Sequence, residues 1–184
     1  CAMRRLAALA VALGLACSVG GWEQLETSGG ATLWLTGPTH TLSVNVGAAW
    51  QATGLDALES WNAVYGAYDL LDWDTADHNR CNRSDGNSAV EWDDWSNPAC
   101  IATSSPTTLA VTSTVATSST GEITQVDVAF NGNHLWTNDF GDAQANGWYL
   151  FPAVAAHEFG HVLGLAHTDQ GATMTAYYSL SQAE

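Results

Sequence analysis

Lysine is absent from this chain of 184 residues. Its only strong bases are Arg4, Arg5, Arg80 and Arg83, set against 19 acidic residues, and the formal net charge is −15. A surface of that sign repels phosphate backbones and anionic headgroups, which argues against nucleic acid and acidic membranes as partners. Most of the carboxylates read as a solvated surface; loops that bind cations are the other use of such charge. Long apolar runs are scarce too. Residues 6–15 form one, but it is too short to cross a bilayer as a helix, and no other stretch is long enough, so no transmembrane segment is expected. No internal repeat is visible. The length suits one domain with a sizeable core, or at most two small ones.

The N-terminus, "CAMRRLAALAVALGLACS", does carry a pattern. Met3, Arg4 and Arg5 followed by the apolar run have the form of an export signal, removed on maturation. Residues 1–17 are therefore read as a signal peptide, with Ala16 as one candidate cleavage point. "GLACS" also resembles a bacterial lipoprotein box, which would attach a lipid anchor at Cys17. The expected location is secreted and extracellular, or lipid-anchored at the bacterial cell envelope. If Cys1 and Cys17 belong to the signal, Cys81 and Cys100 remain in the mature domain. An even pair in an exported chain favours a disulfide; two free thiols, or a metal site using one of them, are the alternatives.

Residues 18–30 read as a short linker and 31–184 as one domain. In "HTLSVNV", Leu42, Val44 and Val46 alternate with polar residues, which predicts a half-buried strand, with His40 a structural residue on its apolar face. "TGLDALESWNAVYG" predicts a helix: Thr53 as cap, Asp56 in the first turn, Leu58, Trp61 and Tyr65 on one face, Gly66 at the end. Residues 69–95 are expected to be irregular, with a short strand near 89–92. Leu109, Val111 and Val115 alternate, as do Val126, Val128 and Phe130, with turn residues at 118–121 between them; this predicts a β-hairpin. Residues 131–149 read as a loop. "FPAVAAHEFGHVLG" predicts a helix with Pro152 in its first turn and Gly164 at its end. The sum is an α/β or α+β domain.

Half of the six histidines fall in "VAAHEFGHVLGLAHTDQGATM". On a helix, residues four apart share a face, so His157 and His161 point the same way. Gly164 lets the chain leave the helix with a special backbone and double back to bring His167 to the same place. Three imidazoles can hold one zinc ion and leave a fourth position for water, the open arrangement of a catalytic site. Glu158 stands beside them to take the proton of a zinc-bound water and pass it to a leaving amine. The competing reading is a helix with buried structural histidines. Five fixed positions of this kind recur by chance on the order of once in 10⁵ such chains, so that reading is the weaker one.

The stretch reads His-Glu-x-x-His-x-x-Gly-x-x-His and resembles the zinc signature of the metzincin metallopeptidases. Met174, seven residues past His167, stands where metzincins carry the methionine of their Met-turn. Phe159, Gly160, Leu163 and Leu165 resemble the matrixins, the matrix-metalloproteinase-like branch with bacterial relatives, while Thr168 replaces their usual serine. The resemblance implies a zincin fold: a twisted, mostly parallel five-stranded sheet with an antiparallel edge strand, two main helices, the Met-turn and then a C-terminal helix. The edge strand would be the segment 122–131 or its immediate neighbour. It also implies that Tyr178, with Tyr177 beside it, walls the substrate pocket. Ala176 stands where other metzincins place a zinc-reaching tyrosine, so no tyrosine ligand is expected, and no cysteine-switch propeptide is visible. Asp77 and His78 are candidates for a second zinc. Calcium in the acidic segment would use some of Asp69, Asp72, Asp74, Asp85, Asp93 and Asp94.

The expected function is thus a secreted zinc-dependent endopeptidase, monomeric, acting on protein or peptide substrates, with extracellular matrix as an associated setting. The alternatives are a non-catalytic zinc-containing module for peptide or surface binding, or an inactive truncated fragment. Ser181 and Glu184 in "YYSLSQAE" have the form of a capping box, so the catalytic domain is expected to continue into a further helix, and Tyr177 and Tyr178 are expected to be poorly fixed without it.

Overall fold

The strand at residues 40–45 is the simplest to derive from its side chains. Leu42 and Val44, with Val46 just beyond, are fully buried, while Thr41 and Asn45 face outward. In the computed structural model, which describes residues 24–35, 40–65, 71–76, 85–93, 95, 105–168 and 173–180, this strand is β2 (His40–Asn45). The other elements, in chain order, are β1 (Trp34–Leu35), α1 (Gln51–Tyr65), β3 (Leu71–Asp74), β4 (Ala89–Asp93), β5 (Ala110–Ala116), β6 (Glu122–Asn131), β7 (Trp136–Thr137), α2 (Phe140–Asn146), β8 (Tyr149–Leu150) and α3 (Phe151–Val162). Cys81, Cys100, Asp69, Asp77, His78, Asp94, Ser181 and Glu184, on which several sequence expectations rest, lie outside the described residues.

The main sheet runs β1-β6-β4-β2-β3, with β5 also paired to β6. Every pairing is parallel except β5 with β6. The fold is therefore the expected α/β class, a mostly parallel sheet with an antiparallel edge strand. The edge strand is the neighbour, β5, rather than the segment 122–131, which as β6 bonds to β1, β4 and β5. The hairpin joining β5 to β6 turns at residues 117–121, as the Ser/Gly run predicts.

The core lies between the sheet and helices α1 and α3. Val126, Val128 and Phe130 of β6 meet Leu58 and Trp61 of α1 and Val154, Phe159 and Val162 of α3. Burying a Leu, Val or Phe contributes about 1.5–3 kcal/mol, so the apolar face of β6 alone is a large part of the driving force. The Trp61 indole N–H donates to Ala156 O at 2.8 Å and ties the two helices together. The opposite face of β6 is buried as well, but polar. Gln125 and Asp127 accept from Gly86 N and Ala89 N, and the Gln125 amide donates to Asp127. Such partners are what make burial of these groups tolerable.

Four sequence expectations need correction. The helix expected to be capped at Thr53 starts at Gln51, because the N–H groups of Trp50 and Gln51 both donate to Gly47 O, a turn earlier. Residues 71–74, expected to be irregular, form β3. Only Leu71 of the four is buried, so no alternation betrays the strand; pairing with β2 makes it. The 131–149 segment is not all loop. It contains α2, whose N-cap Asp139 accepts from Asp142 N and whose C-cap Gly147 takes the left-handed conformation, both readable as helix boundary signals. Among the described residues the main sheet has six strands rather than five, because the two-residue β1 adds to it.

Candidate metal centre

Helix α3 supplies two of the three histidines. Its first turn holds Pro152, where the missing N–H is not needed. Its inner face, Val154, Ala155, Phe159 and Val162, is buried in the core, which leaves the His157–His161 stripe partly exposed. The helix ends at Val162, and Gly164 has φ +83°. A side chain there would meet Leu33 O at 2.8 Å from its Cβ, and Gly164 O accepts from Leu25 N at 2.8 Å. Residues 24–33, part of them in the segment read as a linker, thus brace the turn that brings His167 back.

The three Nε2 atoms converge. The separations are 3.1 Å for His157–His161, 3.1 Å for His161–His167 and 3.2 Å for His157–His167. Three nitrogens held at 2.0–2.1 Å from one zinc ion at tetrahedral angles stand roughly 3.3–3.4 Å apart, so the observed set needs almost no adjustment. The outer nitrogens decide the tautomers. His157 Nδ1 lies 2.7 Å from Thr173 O and His161 Nδ1 lies 2.7 Å from Leu165 O. A carbonyl can only accept, so both Nδ1 atoms carry the proton and both Nε2 atoms present lone pairs. Lone pairs aimed at one another at this range repel and are satisfied by a cation between them. Among the described residues these three histidines are the group able to hold a metal ion.

Burial favours the neutral form of His157 and His161, the form a metal requires. Burial lowers His157, against the pull of the Thr173 carbonyl and with the help of repulsion from His167. It pushes His161 down to about 4, opposed by the Leu165 carbonyl and aided by the neighbouring rings. Glu158 is 5% exposed. Burial pushes its carboxyl up to about 7, and a hydrogen bond from Thr112 pulls the other way. That bond runs from Thr112 Oγ1 on β5 to Glu158 Oε2 at 2.6 Å.

Residues 105–184 match the model of the matrixin peptidase family. This part of the chain is a matrixin-like metzincin. Interstitial collagenase of Bos taurus is 48% identical to the chain over 56 residues, which are 30% of this chain and 11% of that protein, so the chain spans only a small part of that relative. Within the matrixin-like segment, Met174 is buried and lies under α3: a Cβ on Gly160 would fall 2.2 Å from Met174 Sδ. Thr168 N donates to Met174 O, closing the chain between the last histidine and the methionine. Tyr178 is half-buried, its ring on Tyr149 and its hydroxyl accepting from Leu150 N at 2.9 Å. It is well fixed, contrary to expectation, whereas Tyr177 is 83% exposed.

Of the acidic residues considered for calcium, those described are occupied in local turns and contacts. Asp72 accepts from Trp73 N, Asp74 from Ser43 Oγ and Ala76 N, Asp85 from Asn87 N and Asp93 from Trp95 N. His40, read as structural, bonds to Ser88 Oγ at 2.9 Å. Sequence reasoning missed Thr112, which sits in a Ser/Thr-rich stretch with no motif around it, and the carbonyls of Thr173 and Leu165, which no side-chain pattern announces.

Proposed function

We propose that the chain is a zinc endopeptidase that hydrolyses internal peptide bonds of protein or peptide substrates. The observation that carries this reading is the set of three converging Nε2 atoms with a buried carboxylate, Glu158, next in sequence to the first of them. In this reading His157, His161 and His167 hold one zinc through Nε2. Zinc in such a site supplies Lewis acidity, polarising a carbonyl and making water easier to deprotonate. Glu158 takes the proton from the attacking water and later gives it to the leaving amine. Thr173 and Leu165, through their carbonyls, keep the imidazoles in the ligating tautomer. The edge strand β5 offers its backbone to an extended substrate, which adds to the sheet by main-chain hydrogen bonds. Tyr178, held by Leu150 N, forms a wall of the pocket for a substrate side chain, with Met174 as the packed floor beneath α3. A purely structural site has no need of a base at position 158, which weighs against the non-catalytic module.

Export belongs to the same proposal, supported by Arg4 and Arg5 ahead of the apolar residues 6–15. The enzyme would then work outside the cytoplasm as a monomer, secreted or anchored at Cys17, with Cys81 bonded to Cys100. The test is digestion of a denatured protein mixture with and without a chelator, read by mass spectrometry of the cut sites. Internal cuts that vanish with the chelator and return with zinc are expected. A zinc-loaded protein that leaves the mixture intact would refute the reading and favour the binding module.

A further inference from the structure

We infer that Thr112 is a positioning residue for the general base, an inference that rests on the endopeptidase reading above. Thr112 lies on β5, opposite Val128 of β6. Its hydroxyl is 2.6 Å from Glu158 Oε2 and 3.3 Å from Glu158 O. A hydroxyl has one proton to give, and the shorter contact to the carboxylate takes it. Three features make this bond more than a packing contact. Glu158 is buried, so a carboxylate oxygen without a donor there is unfavourable. Threonine is branched at Cβ and stiff at χ1, so a hydroxyl mounted on a paired strand is a fixed point. The bond also crosses between two elements. It fixes the base, which α3 carries, to the strand along which the substrate would lie. Oε2 is held and Oε1 is left for proton transfer, so the distance from base to scissile bond is set by β5 as well as by α3. A base off by about 1 Å can lose on the order of 10²-fold in rate.

The experiment uses the zinc-loaded chain with Thr112→Val, which keeps the shape and removes the donor, and Thr112→Ser, which restores the donor. With a quenched fluorescent peptide, Thr112→Val should lower kcat roughly tenfold or more while KM stays within about twofold, with zinc content and melting temperature near those of the wild type. Thr112→Ser should recover most of kcat, which a merely structural role of the methyl group would not do. Crystals of the zinc-loaded proteins give a second readout: Glu158 held by Oγ1 in the wild type, and its carboxylate rotated or in several positions in Thr112→Val. The inference is overturned if Thr112→Val retains full kcat while Glu158→Gln is inactive, or if Oγ1 and the carboxylate stand apart in the zinc-loaded wild type. Should the wild type cut no peptide, the endopeptidase reading fails, and the crystallographic comparison alone then judges whether Thr112 holds Glu158.

Discussion

His40 and the trio at 157, 161 and 167 are made of the same side chain and differ in what faces their nitrogens. His40 stands at the start of β2 with Ser88 Oγ, a group that can donate or accept, 2.9 Å from Nε2. Either tautomer is satisfied there, and the ring needs nothing further on that side. In the trio the backbone carbonyls of Thr173 and Leu165 claim the protons of His157 and His161, whose Nε2 lone pairs face each other at 3.1 Å, with His167 Nε2 3.1–3.2 Å from both. The contrast teaches that His157 and His161 are marked as candidate ligands by a carbonyl behind each ring and a facing imidazole nitrogen in front, not by burial. Burial lowers the pKa of His40 just as it lowers that of His157 and His161.

The sharpest way to break the comparison is to exchange the consequences. His161→Ala should abolish tight zinc binding and all chelator-sensitive cleavage, whereas His40→Gln should retain about one zinc per chain; metal analysis of both variants decides it. A His40 variant that also lost its zinc would undo the distinction. Next in size is Glu158→Gln, whose amide keeps the shape and cannot accept the proton. It should keep the zinc and lose about 10²–10⁴-fold in kcat/KM in a peptide assay; more than a tenth of the activity remaining would remove Glu158 from the role of base.

Smaller effects test the supports of the trio. Gly164→Ala places a side chain at φ +83° against Leu33 O. The expected loss is about 1–3 kcal/mol of stability, seen as a lower melting temperature, together with weaker zinc retention because His167 is displaced. Gly160→Ala drives a methyl into Met174 Sδ and to 3.0 Å from the Trp61 ring. Its expected cost, about 1–3 kcal/mol by overpacking, should fall on thermal stability more than on zinc content. The smallest effect concerns pH. Burial holds the folded-state pKa of His40 below its ordinary value of 6.5. As pH falls through that value, the unfolded chain gains a proton there that the folded chain takes up only at lower pH, so His40 costs stability in acid and costs none well above pH 6.5. The zinc-loaded His40→Gln protein should accordingly lose less stability between pH 7 and pH 5 than the wild type, measured by denaturant titration.

How much of this was legible in the sequence varies with the kind of signal. The His-Glu-x-x-His spacing, the Gly164 exit and Met174 are local patterns, and they lie where the helix period and the turn put them. The β5–β6 hairpin was legible because its apolar positions alternate on β6. β3 was not, since Leu71 is its one buried residue and the strand exists through pairing with β2. The start of α1 was misplaced because Thr53 is a good cap by type, while Gly47 O had already begun the turn. The edge-strand role fell to β5 because register and pairing are long-range matters that alternation within one segment does not fix. Thr112 was illegible for the same reason: its importance comes from a contact 46 residues away.

The central claim is that three imidazole nitrogens hold one zinc beside Glu158. The most direct measurement is anomalous diffraction at the zinc absorption edge from crystals of protein purified without chelator. The account predicts a single strong peak about 2.0–2.1 Å from Nε2 of His157, His161 and His167, with about one zinc per chain in solution. A peak bound elsewhere, or none at the trio in protein that carries zinc, would contradict it.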